Sequence, residues 1–553
     1  MPSFTRVPSL VALAIVIGAL PARQVGAVVA RSEVKTAGAT ISVVEDIPAS
    51  PRAILILAPF VEERQVAVDG PGGPSFRYGD VPLIRDRGAL TGAGIGVVSL
   101  GPAYVGDKLD VDGRTPRRHA NDLNVAAESF RQRFPTAKLV LAGIGRGTNW
   151  VLQWLTDDNA ANGVNRYDAA LLVSGYYADW RSMAARMARI PVLMAQSATA
   201  SCRSGSIIEA GEAAAKLGAR SIWFYDARWD TSLKCALAGT SGLAGHDEAL
   251  RQAISIWLDG REPPATVGDP GVGHTWRERL IAIQLPETFG SARMETTLFL
   301  PDPRSAGPGP YPLMVFHHGD VLPGTAPVTN QRRIDAIMVA REFLRLGYAV
   351  GVPERPGVGR SDGAYQRRFN SAIDTTEKGR FHGAFALYAT EALLTLPEVD
   401  RQRVVLSGQS AGGYAVLAVD AVNPPWLKAV VNFSGGLSDV PVGEISHHFN
   451  RSMVDGFREF GKTARVPVAM VFTENDSRYA AQTIRYAMEA WIDAGAPGEL
   501  HLYPAITGDN GHFVYNHPDI WRVDVLNFLA ARGLPAAPLE DASREATLKP
   551  RTQ

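Results

Sequence analysis

Cysteine is nearly absent: Cys202 and Cys235 are the only two among 553 residues. That scarcity excludes a disulfide-dense scaffold and a multi-cysteine metal site. It also leaves the second half of the chain without a thiol nucleophile. Net charge is lacking as well, because 56 Lys plus Arg balance 56 Asp plus Glu. No net field draws in nucleic acid or an anionic membrane surface, and neither is expected as a partner. Long apolar runs are missing beyond the first residues, so no membrane span is expected in the mature chain. Spacings such as H-E-x-x-H are missing too, and neither a metal nor another cofactor is expected.

What is present is the composition of a globular chain, 46% hydrophobic with 54 glycines. Residues 1–27 carry a basic residue, Arg6, ahead of an apolar stretch to Leu20, and small residues at Val25, Gly26 and Ala27. This is a signal-peptide pattern, which predicts export to the periplasm or beyond with cleavage near Ala27 or Ala30. The stretch is shorter than the ~20 residues of an uncleaved anchor. In an oxidising compartment Cys202 and Cys235 are expected to form a disulfide; two packed free thiols are the alternative.

Beyond residue 30, short β-branched runs alternate with helical patterns, which predicts an α/β fold with mainly parallel sheets flanked by helices. The alternation breaks at residues 259–274, a Pro- and Gly-rich stretch that reads as a linker, and then restarts. Two domains follow, 31–258 and 275–533, with a tail at 534–553 that reads as disordered. The halves repeat each other in order. KLVLAGIGRG from Lys138 corresponds to RVVLSGQSAG from Arg403, and ARIPVLM from Ala188 to ARVPVAM from Ala464. Ser410 lies 265 residues after Gly145, and His512 lies 266 after His246. The chain is a tandem repeat of one fold.

The chemistry sits in the second copy. Gly408, Ser410 and Gly412 form G-x-S-x-G between strand RVVLSG and a helical run. Small residues on either side allow a sharp turn that lifts the serine hydroxyl above the sheet. A hydroxyl becomes nucleophilic only when a base removes its proton and a third group orients that base. His512, in the loop GDNGHF, is the candidate base, and Asp476, just past strand VPVAMVFTEN, the candidate acid. Glu474 and Asp509 compete as acids and His517 as base. The developing oxyanion needs two backbone donors, for which Ala411 and the loop of Gly319 and Asp320 are the candidates. His317 and His318 beside them read as hydrogen-bonded scaffold. His447, His448, Phe449, Met453, Phe457 and Phe460 belong to an insertion that either lines an acyl pocket or packs on the core as an amphipathic helix.

On the strength of HHG, GQSAGG, ENDSR and the NGH loop, the second half resembles the dienelactone hydrolase and prolyl oligopeptidase branch of the α/β-hydrolase superfamily. The resemblance implies two α/β-hydrolase-like domains and a serine hydrolase acting on a small-molecule ester through an acyl-enzyme on Ser410. Dienelactone hydrolases use cysteine where this chain has Ser410, and nothing here resembles the β-propeller of prolyl oligopeptidases. A peptidase or amidase, or a non-catalytic binding protein, are the alternatives. The first copy has Gly145 at the nucleophile position, Ala200 at the acid position, and Ala58, Pro59 and Phe60 in place of His-His-Gly. His246 alone remains there, and without a nucleophile or acid it reads as structural.

Overall fold

The computed structural model describes residues 29–36, 39–59, 67–70, 73–76, 81–105, 108–109, 116–145, 147–156, 166–175, 177, 190–197, 207–225, 243, 245–268, 276–321, 333–334, 336–365, 375–437, 448–507 and 509–539. Two large sheets organise them. The first runs, in spatial order, Ala30–Thr36, Ala39–Asp46, Ile95–Val105, Ala53–Leu57, Lys138–Ile144, Ala169–Val173, Val192–Ser197, Arg220–Phe224 and Thr266–Val267. The second runs Trp276–Gln284, Arg293–Pro301, Ala349–Pro353, Tyr311–His317, Val399–Gln409, Leu427–Phe433, Val468–Thr473 and Gly498–Tyr503.

Over eight positions the two sheets share one topology, to which the first adds Thr266–Val267 at its edge and Lys108–Leu109 beside Ile95–Val105. In each, the first two strands form an antiparallel pair, the fourth strand in sequence inserts third in space, and the remaining strands run parallel. The parallel strands are buried along most of their length, as in KLVLAGI, with helices on both faces. The backbone keeps the repeat even where the side chains have changed. Gly145 and Ser410 have φ of 53° and 54°, and the corresponding Ser174 and Ser434 have 46° and 44°.

Three boundaries differ from the sequence reading. Thr266–Val267, inside the expected linker 259–274, pairs in parallel with Trp223 and Phe224. Composition marks a break in periodicity, but it does not stop two residues from satisfying an exposed sheet edge. The expected tail begins too early at 534. Leu534 is buried against the second core, and the Tyr348 hydroxyl donates to the Pro535 carbonyl at 3.0 Å. The first sheet starts with Ala30–Thr36, a polar alternating strand without the apolar run that marks the others. Residues 1–27, Cys202 and Cys235 lie outside the described residues. Among the described residues no helix is long and apolar enough to cross a membrane.

Candidate functional site

The site forms where strands end. Strand Val399–Gln409 delivers Ser410 to the turn before helix Ala411–Asp420, with φ 54° and ψ −123°. A non-glycine residue is strained there, and the surroundings hold it. The Ser410 N–H donates to the Phe433 carbonyl at 3.1 Å, while its carbonyl accepts from Tyr414 and Gly436 N–H at 2.9 and 3.1 Å. The flanking glycines answer to close approach. A β-carbon on Gly408 would meet the Gly412 carbonyl carbon and oxygen at 2.5 Å, and one on Gly412 would collide with the His317 and His318 carbonyl oxygens.

Asp476 and His512 come together across two loops. His512 Nδ1 lies 2.9 and 3.1 Å from the Asp476 carboxylate oxygens, and the two residues are 6% and 4% exposed. Asp476 Oδ1 also accepts from the Arg478 and Tyr479 N–H groups at 2.8 and 3.2 Å. Asn510 caps the short helix Gly511–Asn516: its Oδ1 accepts from the His512 N–H at 3.0 Å, and its Nδ2 donates to Ser477 at 2.8 Å. Gln409, next to Ser410, donates to the His512 carbonyl at 3.1 Å. The competing residues lie elsewhere. Glu474 is exposed, and Asp509 pairs with His517 at 2.9 Å.

The loop after strand Tyr311–His317 faces the nucleophile. A β-carbon on Gly319 would stand 3.0 Å from the Ser410 β-carbon and would collide with the Gln409 side chain. His317 and His318 are both buried, but the hydrogen-bonded scaffold expected of the pair is seen at His318 alone; His317 Nε2 is buried without a hydrogen bond among the described residues. His318 Nδ1 lies 2.7 Å from the Gly319 carbonyl, and its Nε2 accepts from the Arg355 N–H at 3.1 Å. Those partners place the proton on Nδ1. Burial, reinforced by the Arg355 guanidinium, brings His317 down to about 3 and pushes His318 well below the ordinary histidine value. The Asp320 side chain accepts from the Tyr365 hydroxyl at 2.9 Å.

Sequence reasoning missed two residues here. Arg355 donates to the His318 and Gly319 carbonyls, both at 2.7 Å, which fixes the direction of the peptide units facing Ser410. Tyr479 touches two of the three candidate residues. Its N–H donates to Asp476, and its ring lies edge-on to His512 with centroids 5.5 Å apart. The segment RPGVG after strand GYAVGVPE was the only local hint for Arg355, and the spacing Asp476 to Tyr479 the only one for the tyrosine.

The insertion resolves in part into a core element. Asn450 caps helix Arg451–Gly461 through the Met453 N–H at 2.9 Å. Phe457 and Phe460 pack on Tyr414 at centroid distances of 5.9 and 5.2 Å. Met453 and Tyr479 crowd Gly436, and Phe449 lies exposed against Tyr486. His447 lies outside the described residues. In the first copy, His246 precedes helix Asp247–Leu258 with its ring 5.6 Å from that of Phe224. Ala200 and Phe60 fall outside the described residues.

Residues 329–518 match the dienelactone hydrolase family. No curated protein matches the chain. An acylaminoacyl peptidase from Pyrococcus horikoshii aligns over 47% of this chain and 42% of its own at 16% identity, TM-score 0.35. A puromycin-hydrolyzing peptidase from Mycobacterium tuberculosis aligns over 48% and 42% at 18% identity, TM-score 0.35. An esterase from Pyrococcus furiosus aligns over 46% and 93% at 13% identity, TM-score 0.32. The match thus spans less than half of either peptidase.

Proposed function

We propose that the second domain, an α/β-hydrolase fold matched by the dienelactone hydrolase family over residues 329–518, is a serine hydrolase of small carboxylic esters. The observation that carries this reading is the buried Asp476–His512 pair, tied by Gln409 to the turn of a strained Ser410 that faces Gly319. In the proposed cycle the Ser410 hydroxyl oxygen attacks the ester carbonyl carbon, and His512 Nε2 accepts its proton. Asp476 holds Nδ1–H, orients the ring and balances the imidazolium. The oxyanion lies between the Ala411 N–H and the N–H groups of Gly319 and Asp320. Collapse expels the alcohol with the proton from His512, and water then releases the acid by the same steps reversed.

The family's namesake substrate is a lactone, an internal ester, which favours an ester over an amide as the scissile bond. An amide is the second reading. The export expectation is kept as part of the proposal on the pattern of residues 1–27.

Paired p-nitrophenyl ester and anilide substrates with one acyl group test the reading. Ester turnover should dominate, and Ser410→Ala should lose at least about 10³-fold in kcat. Equal turnover of the anilide would transfer the site to a peptidase or amidase, and unchanged turnover in Ser410→Ala would remove the serine from the mechanism.

A further inference from the structure

Helix Ile207–Leu217 of the first domain lies against the second domain through charges. Its Glu209, 3% exposed, pairs with the equally buried Arg333, Oε1 to Nη1, at 3.5 Å. One turn later Glu212 pairs with Arg360 at 3.2 Å. Between the two arginines sits Glu354, 2% exposed. The Ile334 N–H, next to Arg333, donates to Glu354 Oε1 at 2.6 Å, and the Arg360 N–H donates to Oε2 at 3.3 Å. Arg333 also reaches Glu295 at 2.8 Å, and the Glu354 N–H donates to the Glu295 carbonyl at 3.0 Å. The residue after Glu354 is Arg355, whose N–H and guanidinium hold His318 and Gly319.

This cluster joins two things that the sequence keeps far apart: a domain without a nucleophile, and the loop that faces Ser410. A buried ion pair that loses one partner leaves an uncompensated charge, and the remaining groups must rearrange. Without the carboxylates of Glu209 and Glu212, Arg333 and Arg360 would turn more of their charge toward Glu354, next in the chain to Arg355. Oxyanion stabilisation depends on donors held in place before the reaction, so a small displacement there slows the chemistry.

We propose that Glu209 and Glu212 are positioning residues for the reaction of the second domain, and that the first domain sets the oxyanion loop through Arg333, Glu354, Arg360 and Arg355. The inference rests on the proposed hydrolase function for its effect on rate, but not for its effect on the loop.

The test uses the full chain with Glu209→Gln, Glu212→Gln and the double variant, beside Lys216→Ala on the exposed side of the same helix. Hydrogen exchange of a peptide covering 317–321 reads the loop, and ester kinetics read the reaction. Exchange in 317–321 should quicken in the double variant while helix Pro518–Ala530 is unchanged. The kcat should fall about tenfold or more, a fraction of the 10²–10³ that follows from losing an oxyanion donor, with KM held within about twofold. Lys216→Ala should do neither. A folded double variant with wild-type exchange and kcat would overturn the inference and leave the helix as simple adhesion between domains. Should the double variant fail to fold, Glu209→Gln alone carries the same test. Exchange needs no turnover, so a wild type inert to esters would sink the hydrolase reading while the loop measurement still decides the positioning.

Discussion

At the scale of single residues, the ground beneath the site is held by histidines that burial keeps uncharged. His317 and His382 are each brought down to about 3, chiefly by desolvation and then by Arg355, and His318 lies well below its ordinary value. A histidine whose folded value is depressed binds fewer protons folded than unfolded. Its contribution to stability is therefore present above about pH 6.5 and is lost as pH falls toward the folded value. Each pH unit in that window is worth about 1.4 kcal/mol per histidine. His382→Gln removes one such group. As pH drops from about 6.5 to 4, the wild type should lose stability relative to the variant by about 1.4 kcal/mol per unit in chemical denaturation. A pH-independent difference would contradict a neutral buried His382. The placement of Ser410, Asp476 and His512 was legible in the sequence because each stands at the end of an apolar strand or in the following loop, in a fixed order. Arg355 and Tyr479 were not, since what identifies them is a contact to a distant backbone or side chain, and no local pattern encodes that.

At the scale of elements, helix Ala411–Asp420 is pressed against the strand that leads to the oxyanion loop. Gly412 permits the approach, because any β-carbon there would run into the His317 and His318 carbonyl oxygens. Gly412→Ala should therefore push the two elements apart. Overpacking of this kind destabilises by about 1–3 kcal/mol, and the moving carbonyls belong to the loop that Arg355 holds. The variant should unfold at lower urea and lose more in kcat than it gains in KM; wild-type stability and kcat would show that the contact is softer than its geometry implies. All eight strands of the second sheet were legible, as apolar runs bounded by turn residues. Among the elements that escaped, for want of apolar signal, were the polar edge strand Ala30–Thr36, which buries only Val34, and the two-residue strand Thr266–Val267; both exist chiefly through pairing.

At the scale of the whole molecule, one topology occurs twice, and the proposed chemistry belongs to the second copy. The repeat was visible in aligned strand endings, and the matching φ values at Gly145 and Ser410 show the same turn in both copies, with a side chain only in the second. What the sequence could not convey was the junction, where Glu209 and Glu212 meet Arg333 and Arg360 across more than a hundred residues of chain. Ser410 is the activated nucleophile in the proposed reaction. The most direct test of that role is fluorophosphonate labelling of the folded full chain, read by intact mass and peptide mapping beside Ser410→Ala. The account predicts one adduct, on the peptide containing Ser410 and absent from the variant; no adduct on folded protein, or one that persists in Ser410→Ala, would contradict it.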